Sequence, residues 1–275
     1  MRRKGGKALF HLIKYDLQIG IKERFSHIVL PVVAFCLCSV YSGGLNWGER
    51  LAIMFVGNYS QLEADNGGIP IDWLLVHIGC LLFSVEYPIR DLSLYGRQIV
   101  VRSQRKYKWW LSKCIWCFVN TLIYYFVGII TEAVFCIAFH DRLSFELRTI
   151  ALSANIEMSV GNLGDTVPSL QAFLIVVILP LLTMIALSII QTIIGIITNR
   201  IIALLGGLAV MAVALYIQSP LLIGNYSMLQ RNAVFNRVGL DGSAGIIIML
   251  MELMILICIG TEVFTHMDIL GPKKI

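Results

Sequence analysis

Charge is scarce in this chain: Asp, Glu, Lys and Arg together make up 14% of its 275 residues, against roughly a quarter in a soluble globular protein. With 57% of the residues apolar, that scarcity excludes a water-soluble domain and points to an integral membrane protein. The phosphate-binding pattern GxxxxGK[ST] is also missing. The run from Gly239 to Gly245, GLDGSAG, has the glycines without the lysine, so the chain does not bind ATP in that manner. Neither HExxH nor GxSxG occurs and no serine has a base close by in sequence, so no catalytic residue is assigned. The seven cysteines (Cys36, Cys38, Cys80, Cys114, Cys117, Cys136 and Cys258) all fall in apolar runs, which excludes a disulfide framework in the loops. Cys114 and Cys117 have CxxC spacing, but no strand precedes them and no second pair exists, so a redox or metal role is not expected. His77 and His266 stand alone, and no metal site is expected at either. Repeats at solenoid period and low-complexity tracts are absent, and no cleavable signal peptide is expected, because the first 24 residues are charged and mixed throughout.

What is present is a series of apolar runs of bilayer length. They predict an all-α integral membrane fold: one domain over residues 1–275, with six spans at about 25–42, 69–87, 109–139, 170–198, 201–217 and 243–265. Residues 5–25 put Lys7, His11, Lys14, Gln18 and Lys22 on one helical face with Leu9, Phe10, Ile13 and Leu17 largely opposite. This predicts an amphipathic helix lying on membrane lipids, although Asp16 and Glu23 interrupt the apolar side. Pro31 and Pro180 are expected to bend the first and fourth spans, and Leu51 to Gly57 forms a patch too short to cross. Of the 22 Lys and Arg, 17 fall on one side of this six-span arrangement and 5 on the other. The positive-inside rule then places both termini in the cytosol. The net charge of +5 is explained by that asymmetry and carries no expectation of nucleic acid.

The most basic stretch is the loop from Glu86 to Lys113 between the second and third spans. Pro88 suits a first helical turn, and Ile89, Leu92, Tyr95 and Ile99 then recur at helical spacing. They predict a short cytosolic helix with an apolar docking stripe, with Asp91, Arg97 and Gln98 off the stripe. Trp109, Trp110 and Trp116 are expected to form an aromatic belt at the membrane interface.

The run DLSLYGRQIVVRSQRKYKWWLSK resembles the cytosolic loop of ABC-2-type transporter permeases. In those, an acidic residue and a glycine precede a basic Arg-Ser-x-Arg stretch, followed by an aromatic residue and a lysine that open the third span. Asp91, Gly96, Arg102, Ser103, Arg105, Trp109 and Lys113 stand at the matching positions. The resemblance implies a half-size permease of a bacterial plasma membrane that pairs with itself or a sister permease and binds two ATPase subunits. ATP and Mg would reside on those partners, with no cofactor on this chain. It also implies that the coupling helix, with Ile89, Asp91, Leu92, Tyr95, Gly96, Arg97, Ile99, Arg102 and Arg105, contacts the ATPases. The cargo would be a hydrophobic or amphipathic peptide, lipid or drug.

Glu132 and Glu252 lie within the third and sixth spans. An ionisable group at that depth is costly enough to be a candidate for the substrate pathway, and a hydrogen bond that fixes helix packing is the other reading. Glu86 is spaced to pair with Arg90. Two further functions fit the composition: a polytopic membrane enzyme using Glu132, Glu252 or His77 on a lipid-soluble substrate, or an immunity protein that sequesters a peptide toxin at the membrane.

Overall fold

A computed structural model describes residues 3–39, 44–58, 69–93, 95–103, 106–153 and 166–267. Among the described residues the regular structure is helical apart from one two-stranded sheet, and the helices are α1 (Arg3–Arg24), α2 (Val29–Ser39), α3 (Trp47–Met54), α4 (Ile71–Ser84), α5 (Glu86–Ser93), α6 (Tyr95–Ser103), α7 (Lys106–Ala138), α8 (Thr149–Ser153), α9 (Ser169–Phe173), α10 (Leu179–Ile197), α11 (Arg200–Tyr216) and α12 (Gly242–His266). Strands β1 (Leu147–Arg148) and β2 (Thr166–Val167) pair antiparallel.

Among the described residues, four helical stretches are long and apolar enough to cross a membrane: Ile71–Ser93, Lys106–Ala138, Ser169–Ile197 and Gly242–His266. The chain is therefore a membrane protein. The first and fifth expected spans are shorter helices of 11 and 17 residues, about 16 and 26 Å at 1.5 Å per residue. The first is shortened because residues 25–28 turn as a 3-10 helix between α1 and α2.

The core forms where α2, α4, α7 and α10 pack, and it also takes in α3. The apolar patch expected from Leu51 to Gly57 is thus a short helix whose Leu51, Ala52 and Met54 are buried among the longer ones. Between α9 and α10 the chain widens into a π-helical turn, Leu174–Ile178. Pro180 has no N–H to offer the Val176 carbonyl four residues before it, and the Tyr125 hydroxyl of α7 donates to that carbonyl at 2.6 Å. Asn199 caps α11 through the Ile202 N–H, closing the tight hairpin with α10.

The tryptophans depart from the expected belt. Trp109, Trp110 and Trp116 are all buried, because their polar edges and faces find partners inside the protein. Trp109 stacks on Phe264 of α12, Trp110 donates to the Ile257 carbonyl at 3.0 Å, and Trp116 stacks on Tyr87.

Candidate functional site

At the end of the bundle that carries the basic loop, α1, α5, α6 and α7 are tied by one buried charge cluster. Lys113, two turns into α7, is fully buried; its ammonium lies 2.6 Å from Asp16 of α1 and 2.8 Å from Asp91 of α5. Two carboxylates against one ammonium leave an excess negative charge, which neutral donors absorb. Tyr87 and Ser112 donate their hydroxyls to Asp16, and the Trp109 indole donates to Asp91 at 3.0 Å. The ammonium also lies over the rings of Tyr87, at 4.6 Å, and Trp109, at 5.0 Å, a favourable position for a cation held away from water. Gly96 opens α6 so close to this cluster that a Cβ there would lie 2.8 Å from the Asp91 carbonyl oxygen and 2.8 Å from the Trp109 indole nitrogen.

Four residues of the loop pattern, Asp91, Gly96, Trp109 and Lys113, are therefore brought together. Arg105 lies outside the described residues, as do the side chains of Tyr95, Arg102 and Ser103. The apolar stripe turns inward: Ile89 packs on Gly195 of α10, Leu92 joins the cluster around Trp109 and Trp110, and Ile99 is half-buried. The expected docking face thus spends Ile89 and Leu92 on covering the ends of the long helices, and among the described side chains of α6 Arg97 and Gln98 are exposed. Glu86 lies 3.8 Å from Arg90 as its spacing implied, and nearer, at 3.2 Å, to Arg200 at the start of α11. Lys106 caps α12 by donating to the Thr265 and Met267 carbonyls.

Asp16 is the participant that reading the sequence missed. It was visible there as an acid on the apolar side of an amphipathic helix, a place that requires a buried cation. Tyr87 and Ser112 carry no such signal.

At the opposite end, α3 docks on the segment after α7. Glu49 is buried and accepts from the Arg148 guanidinium at 2.6 Å through two nitrogens, from the Arg148 N–H at 3.1 Å and from the Asn46 N–H at 2.9 Å. Burial alone would push its carboxyl up, but these bonds outweigh burial and hold it below the ordinary carboxylate value. Arg50 pairs with Asp141 and lies over the Phe139 ring. A polar cavity of about 400 Å³ opens beside them, lined by residues that include Asn46, His140, Arg142 and Glu146. Arg231 is buried in the loop before α12 and spreads its guanidinium over the Ala214, Leu215 and Ile217 carbonyls at the end of α11 and over the Asn58 carbonyl. Burial lowers it to about 10.

The two acids of the spans are held differently. Glu132 is fully buried and bonded to the Ser39 hydroxyl of α2, with its second oxygen unpartnered. Glu252 is half-buried on α12, also with one unpartnered oxygen. His77 is buried with Nδ1 2.7 Å from the Trp73 carbonyl. His266, expected to stand alone, lies 3.4 Å from Glu262 one turn earlier. Among the described residues no three metal-ligating side chains converge.

No curated protein and no solved structure matches the chain. A family model described as a protein of unknown function, DUF2705, matches residues 51–270, and the chain belongs to that family.

Proposed function

We propose that this chain is the transmembrane permease subunit of an ABC transporter, exporting a hydrophobic or amphipathic peptide, lipid or drug with ATP hydrolysed on separate ATPase subunits. The observation that carries the reading is the Lys113–Asp16–Asp91 cluster. It fastens the amphipathic helix and the loop helices to the long helix α7, so that a push on α5 and α6 is passed to the bundle and not absorbed by a slack loop. In this reading the charge asymmetry puts the cluster on the cytosolic side of a bacterial plasma membrane, with six crossings and both termini inside. Two ATPase subunits bind beneath α5 and α6, and a second copy or a sister permease completes the pathway. The exposed Arg97 and Gln98 of α6 are the contact surface, with Ile99 at its edge, while Ile89, Asp91 and Leu92 support it from behind.

Affinity purification from the native membrane tests this. An ATPase subunit should copurify in stoichiometric amount, and Arg97→Glu should reduce its recovery roughly tenfold, as loss of a contact worth about 1.4 kcal/mol does. Purification without any ATPase, or undiminished capture by both Arg97→Glu and Ile99→Asp, would overturn the assignment. Protection against a peptide that persists with the ATPase inactivated would favour sequestration instead.

A further inference from the structure

Lys113, Cys117, Asn120, Thr121 and Tyr124 follow one another on α7 at spacings of four, three, one and three. They therefore share a single helical face, and all five are buried. That face meets Cys80 and Ser84 of α4 and Ser188 and Thr192 of α10, and Gln191, three residues on from Ser188, shares that side of α10; all five are buried as well. Asn120 donates to Ser84 at 3.2 Å, and the Cys117 sulfur lies 3.3 Å from the Thr192 hydroxyl. The Cys80 thiol sits beside the Thr121 hydroxyl and the Cys117 thiol beside the Ser188 hydroxyl. Yet neither hydroxyl meets hydrogen-bond geometry with any protein atom, and both amide atoms of Gln191 are without a partner too. Two buried hydroxyls with only a thiol beside them, and a buried amide on the same side of α10 with no partner for either atom, are far from the rule for protein interiors. Buried polar groups of this kind are ordinarily satisfied by water, which makes about two to four hydrogen bonds to such groups.

We propose that the seam between α4, α7 and α10 is a water-binding site, holding a chain of internal water molecules from the Lys113 cluster as far as Tyr124. There the seam ends: the Tyr124 hydroxyl donates to the Val76 carbonyl at 2.8 Å, and Phe35 and Phe83 pack on its ring. From Lys113 to Tyr124 is about 16 Å along the helix, or half of a hydrocarbon core of about 30 Å. The water thus penetrates one leaflet and stops at an aromatic plug, beyond which Glu132 occupies a separate polar pocket with Ser39. Helices that meet through water exchange partners at lower cost than helices that meet through interlocked apolar side chains, so this seam is where the bundle can part. The site stands whatever the chain transports.

Radiolytic hydroxyl-radical footprinting of the purified full-length chain in lipid nanodiscs tests it, since radicals form in place from bound water. The readout is the oxidation rate of each sulfur, divided by its rate in the denatured chain. Cys80 and Cys117, which have the hydroxyls of Thr121, Ser188 and Thr192 beside them, are compared with Met54 and Met211, equally inaccessible sulfurs of the apolar core. Hydration of the seam makes the two cysteines less protected than the two methionines. In the variant Thr121→Val/Ser188→Ala/Gln191→Leu their protection should rise to the level of the methionines; Ser188→Ala alone, expected to give part of that rise, serves if the triple variant does not fold. Equal protection of all four sulfurs in the unaltered protein overturns the proposal. So does oxidation of the cysteines that the substitutions leave unchanged.

Discussion

Lys113 and its two carboxylates show how a buried charge can hold a membrane protein together without making a net contribution of its own. Desolvating an ammonium and two carboxylates costs about as much as their attraction returns, so the cluster as a whole is near neutral. Its members are strongly interdependent all the same. Lys113→Met leaves Asp16 and Asp91 facing each other in a place closed to water, and it should lower stability by about 3–5 kcal/mol. Adding Asp16→Asn and Asp91→Asn removes both stranded charges and keeps one carbonyl acceptor at each site, for Trp109 at Asp91 and for one of Tyr87 and Ser112, which use different oxygens of Asp16. The triple variant should therefore recover most of the loss in a thermal unfolding measurement in detergent. A triple variant no more stable than Lys113→Met would show that the groups act independently. Glycine at position 96 follows from the same crowding, because α6 can begin where it does only if no side chain intervenes between its first turn and Asp91.

The helix α3 makes the parallel case for a whole element. Its eight residues cannot cross a bilayer, and a capping box holds it: Asn46 accepts from the Glu49 N–H and Glu49 accepts from the Asn46 N–H. The spacing Asn46-x-x-Glu49 is legible in the sequence, whereas the partner Arg148, 99 residues further on, is not. No local pattern joins two loops of a membrane protein. Because the Glu49 carboxyl is held below its ordinary value of 4.5, the sign of its pH dependence is fixed. Its stabilisation is fully present above pH 4.5 and disappears as pH falls through the lower folded value, where the native state must take up the proton. Acid titration of thermal stability should show a loss beginning below pH 4.5, and Glu49→Gln should flatten that loss while costing about 1–3 kcal/mol at neutral pH. An acid-induced loss of the same size in Glu49→Gln would assign it to other carboxylates, such as Asp241 at the start of α12, which Ser243 and Ala244 likewise hold low.

Across the whole molecule, hydrophobic length fixed most of the helices. The long runs that became α7, α10 and α12 could be read directly, because a stretch without charge has few alternatives to a membrane helix. Length failed where tertiary packing intervened. The first run breaks at residues 25–28, and the loop stripe of Ile89 and Leu92, amphipathic by periodicity, turns out to cover neighbouring helices; periodicity tells which residues share a face and not what that face meets. The arrangement of ends follows from contacts no run length contains. Lys106 caps the end of α12 and Asp16 binds Lys113, so α1, the basic loop and the end of α12 lie together. The loop after α7 lies at the other end with α3. On the orientation proposed above, with the basic cluster inside, single cysteines at positions 97 and 266 should resist a membrane-impermeant maleimide in intact cells and react once the membrane is opened. Cysteines at 140 and 142, beside the polar cavity, should react in intact cells. The chain should first be cleared of Cys258, which is exposed on α12. Labelling of position 97 from outside would invert the molecule and remove the surface on which a cytosolic ATPase could act. Reaction of positions 97 and 266 from opposite sides would instead require an odd number of crossings between them, which the capping of α12 by Lys106 forbids.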